Sequence, residues 1–184
     1  MPYAITLTLD EKSGAKVRKI WRCIEDSGLA KSVAGLKYEP HITLARHIDL
    51  DPIATADLLD SFAAGLPAIT ISVDRLAAFE RPTPVLFLGL KDSRELRTFH
   101  TRLTPLIIGT GADPNAEAIS WVPHVTLTTS MPKGQKRADL ENLVAHAFEA
   151  FEARLDRLDL VRFPPVAILN TALLGGRHTA THLQ

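Results

Sequence analysis

The chain has 184 residues, 46% hydrophobic and 23% charged, and its 21 basic residues balance 21 acidic ones. That length supports one domain, or two intimately packed lobes, with a sizeable core, and the composition is that of an ordinary soluble globular protein. Neutrality argues against the basic face that captures long duplex nucleic acid, while leaving room for a local basic pocket and a short or end-held phosphorylated substrate. A single cysteine, Cys23, excludes an internal disulfide and any multi-cysteine metal site, so a reducing, cytoplasmic setting is expected. No basic segment followed by an apolar one opens the sequence, and the longest apolar runs, such as Val85 to Leu88, are far too short to span a bilayer; neither a signal peptide nor a membrane partner is expected.

Tyr3, Ile5, Leu7 and Leu9 alternate with Thr6 and Thr8, the period of a half-buried strand. Val17, Ile20, Trp21 and Ile24 then follow helical spacing up to Gly28, with Cys23 beside that stripe as a packing residue. Lys31 to Lys37 reads as a loop leading into a strand that begins at Tyr38-Glu-Pro-His41-Ile-Thr43-Leu44. Asp51-Pro52 is an N-cap with proline in the first helical position, and Leu58, Leu59 and Phe62 supply that helix's buried face before Gly65 and Pro67 stop it. Ile69, Ile71 and Val73 alternate, and the apolar phase then slips to Leu76 across Asp74-Arg75, as at a bulge or bend. Arg81 to Pro84 is a turn, and Val85 to Leu90, apolar almost throughout, reads as a central strand.

The order then recurs. Asp92-Ser-Arg-Glu95 opens a helix carried by Leu96, Phe99 and Leu103 toward Pro105, and a loop from Gly109 to Ala116 leads to Trp121-Val-Pro-His124-Val-Thr126-Leu127. Leu140, Leu143, Val144 and Ala147 give another helix. Phe151, Ala153 and Leu155 alternate before a second slip to Leu158 across Asp156-Arg157, Pro164-Pro165 turns the chain, and Val166 to Leu174 is the last strand. His41 and His124 lie 83 positions apart, while Asp74-Arg75-Leu76 and Asp156-Arg157-Leu158, like Ala56-Asp57-Leu58 and Ala138-Asp139-Leu140, lie 82 apart. A repeat of that length predicts an α+β fold with pseudo-two-fold symmetry. Its two lobes, about 3–80 and about 84–175, would each carry strands and two helices and pack as one body, so that the two His-x-Thr strands face each other across a cleft, with a tail at 176–184.

In a strand, residues i and i+2 share a face, so His41 projects with Thr43 and His124 with Thr126. Two facing imidazoles can be neutral and protonated at one pH, which suits displacement at phosphorus with a base on the attacking oxygen and an acid on the leaving one. Each threonine hydroxyl can donate to a non-bridging phosphate oxygen. No metal and no cofactor is implied.

The paired Pro-His41-Ile-Thr43-Leu and Pro-His124-Val-Thr126-Leu strings resemble the two-histidine (2H) phosphoesterase superfamily, which includes 2′-5′ RNA ligase-type proteins and cyclic nucleotide phosphodiesterases. The resemblance covers Tyr3 to Leu174 and implies two lobes, each a mainly antiparallel sheet with two helices, lining a V-shaped active-site cleft with His41, Thr43, His124 and Thr126 at its floor. It further implies hydrolysis of a 2′,3′-cyclic phosphate on a nucleotide or RNA terminus, or of an ADP-ribose cyclic phosphate, by a monomer. Which histidine is acid and which is base stays open. Ligation or hydrolysis of 2′-5′ bonds in the same cleft is one alternative, and a non-catalytic nucleotide- or RNA-binding module is another.

Around the motif, Arg46 and Thr129 stand three beyond each threonine, on the opposite face unless the strand bulges; Arg46 can steady phosphate charge. Thr128, two beyond Thr126, extends the polar floor. Tyr38 and Trp121, three before each histidine, can stack on a base or join the core. His47 reads as a surface histidine, His100 and His146 as facing solvent or a helix groove, and His178 and His182 as part of a frayed tail.

Overall fold

The computed structural model describes residues 2–80, 83–108 and 121–175. Chain order is β1 (Tyr3–Leu9), α1 (Glu11–Ser27), a 3-10 turn (Val33–Leu36), β2 (His41–His47), α2 (Pro52–Ala63) and β3 (Ile69–Phe79). β4 (Val85–Leu90), α3 (Arg94–Ile108), β5 (His124–Thr126), α4 (Gln135–Ala147), β6 (Phe151–Arg162) and β7 (Ala167–Leu173) follow. Residues 81–82 within the expected turn, the expected loop at 109–116 and the tail with His178 and His182 lie outside the described residues.

Local chemistry sets the helix ends. The Asp10 carboxylate accepts from the Ser13 N–H at 3.0 Å to start α1, and Gly28, at φ +66°, ends it in the left-handed conformation. Asp51 accepts from the N–H groups of Ile53 and Ala54 ahead of Pro52, as the sequence predicts. A cap contributes about 1 kcal/mol. Burying Val17, Ile20, Trp21 and Ile24 contributes roughly 1.5–3 kcal/mol for each side chain, so packing rather than capping decides that α1 forms. In α2 the buried positions are Thr55, Leu59 and Ala63, with Leu58 and Phe62 only partly covered. Helix α3 does not stop at Pro105: the buried Leu103 and Ile107 keep the last turn on the core, although the proline removes one N–H from the helix ladder.

The seven strands among the described residues form one antiparallel sheet, in the order β1-β2-β5-β4-β3-β6-β7, and β6 returns to pair with β1. The two sequence repeats exchange strands. Ile69 to Val73 of β3 pairs with Phe151 to Leu155 of β6; beyond that, β3 continues along β4 and β6 along β1. Both crossings occur where the apolar phase slips, because Asp74 and Asp156 are the extra residues of two register shifts. One apolar core cluster joins Ile5, Leu7 and Ile42 of the first repeat to Leu88, Val125 and Leu158 of the second, beside a smaller cluster of Ala4, Tyr38 and Val161. β1 is buried on both faces, not half-buried as its alternation suggests: Thr6 and Thr8 are covered as well, hydrogen-bonded to the buried Tyr38 hydroxyl and Asp159 carboxylate.

Candidate active site

The pairing Ile42↔Val125 joins β2 to β5, with both side chains in the core. Continuing that antiparallel register places His41 across from Thr126 and Thr43 across from His124, all four on the face opposite Ile42 and Val125. The two halves of the repeated motif therefore form one four-residue group. Nearby, Thr6 opposes Thr43 and Ile5 opposes Ala45, which leaves Leu44 as an extra residue in β2. That bulge restores Arg46 to the face of His41 and Thr43, and its charge reaches both imidazoles. In β5 the N–H groups of Leu127 and Thr128 both donate to the Leu86 carbonyl, so the second strand breaks register at the corresponding residue.

Each imidazole is held the same way. Nδ1 of His41 lies 2.7 Å from the Glu39 carbonyl and Nδ1 of His124 lies 2.8 Å from that of Val122. A carbonyl only accepts, so Nδ1 carries the proton in both rings and Nε2 is the titrating nitrogen. Burial lowers the pKa of each below the usual imidazole value, opposed by the backbone carbonyl. His41 is also pushed down by the charges of His124 and Arg46 and up by that of Asp159. His124 is pushed down further by Arg46.

The surroundings are not symmetric. Beside His41, the Tyr38 ring sits 4.7 Å away between centroids, and its hydroxyl donates to Asp159 Oδ2 at 2.7 Å. Asp159 is 2% exposed and also accepts from the hydroxyls of Thr8 (2.8 Å) and Thr171 (2.7 Å). Beside His124 stand Phe79 and Phe87, with centroids 4.9 and 5.1 Å away. Two tryptophans brace the halves crosswise: Trp121 Nε1 donates to the Thr43 carbonyl at 3.0 Å, and Trp21 Nε1 to the Thr126 carbonyl at 3.2 Å. His100 stacks flat on Trp121 with 3.9 Å between centroids, and its Nε2 lies 3.1 Å from the Leu44 carbonyl at the bulge.

Several expected positions differ. Tyr38 is 8% exposed, so its ring packs on His41 and offers no stacking surface; Trp121 is partly exposed. Thr128 does not extend the polar floor. It is fully buried, with its Oγ1 accepting from the Leu86 N–H at 2.9 Å, because the register break turns it inward. Thr129 is exposed and its N–H donates to the Lys31 carbonyl at 3.1 Å. His47 and His100 are buried rather than superficial, at 1% and 3% exposure, whereas His146 is exposed. Among the described residues no three His, Cys, Asp or Glu side chains converge as metal ligands would, and no helix is long and apolar enough to cross a membrane. Asp159, Phe79, Phe87 and Trp21 were not singled out from the sequence as site residues. Asp159 alone left a signal there, as a charged residue inside the Leu158 to Val161 apolar run.

Comparison with known proteins bears on the family and the fold. Residues 11–165 match the family model of the 2′-5′ RNA ligase superfamily. A Geobacillus thermodenitrificans (strain NG80-2) protein named "Putative phosphoesterase" is 25% identical over 146 residues, 76% of this chain and 81% of that protein. The crystal structure of TT0787 of Thermus thermophilus superposes with a TM-score of 0.64 at 17% identity, covering 97% of this chain and 100% of that one. E. coli LigT complexed with 3′-AMP gives 0.63 at 17% identity, covering 96% and 100%.

Proposed function

This chain belongs to the 2′-5′ RNA ligase superfamily, the two-histidine phosphoesterases, and from that premise we propose that it hydrolyses 2′,3′-cyclic phosphates of nucleotides or RNA ends, or ADP-ribose cyclic phosphate. The observation that carries the reading is the pair of imidazoles with matched Nδ1 anchors, set beside two threonines on one sheet face. Binding alone needs no such duplication of a proton donor and acceptor, whereas displacement at phosphorus does.

The surroundings favour one division of labour. The aromatic walls at His124 favour its neutral form, so His124 Nε2 takes the proton of the attacking water. At His41 burial also lowers the pKa, but there the buried Asp159 charge opposes the lowering and the incoming phosphate anion adds to that opposition, so His41 Nε2 protonates the departing ribose oxygen. Water oxygen bonds to phosphorus, the cyclic P–O bond breaks, and a phosphomonoester leaves; proton exchange with solvent resets the pair. The hydroxyls of Thr43 and Thr126 donate to the non-bridging oxygens, and Arg46 offsets their charge. That LigT, which shares this fold, was crystallised with 3′-AMP supports a nucleotide as ligand.

The same displacement with a ribose hydroxyl in place of water would join or cleave 2′-5′ linkages, a reading favoured by the family that the sequence matches. A panel of 2′,3′-cyclic mononucleotides, ADP-ribose cyclic phosphate, RNA ending in a cyclic phosphate and 2′-5′-linked oligonucleotides separates them. Turnover of the cyclic phosphates in excess EDTA is expected. Turnover of 2′-5′ linkages alone would favour the second reading, and tight nucleotide binding with no turnover across the panel would leave a binding module.

A further inference from the structure

The repeated Asp-Arg-Leu motif has no part in the acid–base step, yet the register aims it at the same site. At the first bulge Arg75 opposes Gly89, and Gly89 opposes His124; at the second, Arg157 opposes Thr8, and Thr8 opposes His41. Residues directly opposed in antiparallel strands share a face. Each arginine therefore stands on its histidine's face two strands away, roughly 10 Å between Cα atoms. Both make the same backbone contact. Arg75 Nη1 donates to the Leu90 carbonyl and Arg157 Nη2 to that of Leu9, at matching ends of β4 and β1.

Their surroundings then part. Arg157 shares an open cavity of about 450 Å³ with three carboxylates, Asp10, Glu11 and Asp156, against one further cation, Arg154. Asp156 Oδ1 is 3.8 Å from its Nε. Arg75 is bonded to one carboxylate among the described residues, Asp74, at 2.9 Å through the same Nη1, which leaves Nη2 unengaged on a side chain 54% exposed. It lies across Gly89, where a Cβ would come within 2.8 Å of its Cγ and Nε. The missing side chain at Gly89 keeps the guanidinium low on the face that leads to His124.

We propose that Arg75 forms a second anion subsite, which binds a phosphate one nucleotide unit removed from the phosphate held between the histidines. The preferred substrates are then those with a further phosphodiester or diphosphate, such as an RNA end or an ADP-ribose derivative, over a simple cyclic nucleoside phosphate. The inference rests on the phosphoesterase reading above. Arg157, with the same carbonyl contact but less exposed and set among three carboxylates, is its internal control.

The test is calorimetric affinity of wild type, Arg75→Gln and Arg157→Gln for adenosine 2′-monophosphate and adenosine 2′,5′-bisphosphate. Wild type should prefer the bisphosphate. Arg75→Gln should lose about tenfold for the bisphosphate alone, the scale of one exposed charge-assisted contact, and Arg157→Gln should behave as wild type. Equal affinities in wild type, or an equal loss in both variants, would overturn the subsite while leaving the phosphoesterase reading intact. Failure of wild type to bind either nucleotide would overturn that reading and the subsite with it.

Discussion

Replacing Asp159 by asparagine tests whether the two histidines are distinguished by the charge buried beside one of them. The substitution keeps the shape of a side chain 2% exposed and removes its charge, while three hydroxyls, from Thr8, Tyr38 and Thr171, lose a carboxylate acceptor. Hydrogen bonds to a charged group contribute about 1.5–3 kcal/mol and neutral ones about 0.5–1.5. Three weakened bonds, partly offset by the lower cost of burying an amide, cost about 1–2 kcal/mol. In a chain of this size the Tm falls roughly 2–8 °C. The catalytic effect is separate: without the charge that favours the His41 imidazolium, the alkaline limb of the kcat/KM profile moves to lower pH. Tyr38→Phe removes the hydroxyl link, keeps the carboxylate, and should move that limb less. The assay is the pH dependence of 2′,3′-cyclic nucleotide turnover beside thermal melts. A lower Tm with an alkaline limb that overlays wild type would show that Asp159 holds the fold and does nothing for His41.

Burial lowers the pKa of His41, His100 and His124 from 6.5, so below that pH the unfolded chain binds protons that the fold resists. Their contribution to stability is present above 6.5 and lost as pH falls through the folded values; urea titrations that show no acid loss before carboxylates titrate would contradict it. Thr43→Val and Thr126→Val each remove one hydroxyl donor to a charged phosphate and should lower kcat/KM by about tenfold to a hundredfold with the fold retained, and unchanged kinetics would remove the threonines from the site. Trp121→Phe and Trp21→Phe each delete an indole N–H bonded to a carbonyl of the opposite half, and each should cost about 0.5–1.5 kcal/mol in urea titration. No loss in either would mean that the cross-bracing contributes nothing.

What was legible in the sequence was periodic. Alternation marked the faces of β2 and β5, helical spacing marked α1, and the slips at Asp74 and Asp156 marked two bulges because the apolar phase changes there. The bulge at Leu44 left no such mark, since the buried Ile42 and Leu44 keep alternating through it, so the place of Arg46 had to come from the pairing with β1. Asp159 showed only as a charge in an apolar run, and its place beside His41 stayed hidden because its hydroxyl partners on β1 and at Tyr38 lie 151 and 121 positions away. Trp21 read correctly as core, but its N–H to the Thr126 carbonyl spans 105 positions and depends on how the halves pack. The strand exchange between the repeats is likewise a property of pairing, which periodicity does not encode.

The most direct test of the paired-histidine mechanism is turnover of adenosine 2′,3′-cyclic phosphate in EDTA by wild type, His41→Asn, His124→Asn and the double variant. Asparagine can keep a donor toward the Glu39 and Val122 carbonyls, so folding should survive, and thermal melts verify it. Wild type should show a bell-shaped pH profile, each single variant should lose about 10²–10⁴-fold in kcat, and the double should fall little below the slower single. Near wild-type turnover by either folded single variant, or loss of wild-type activity in EDTA, would contradict it.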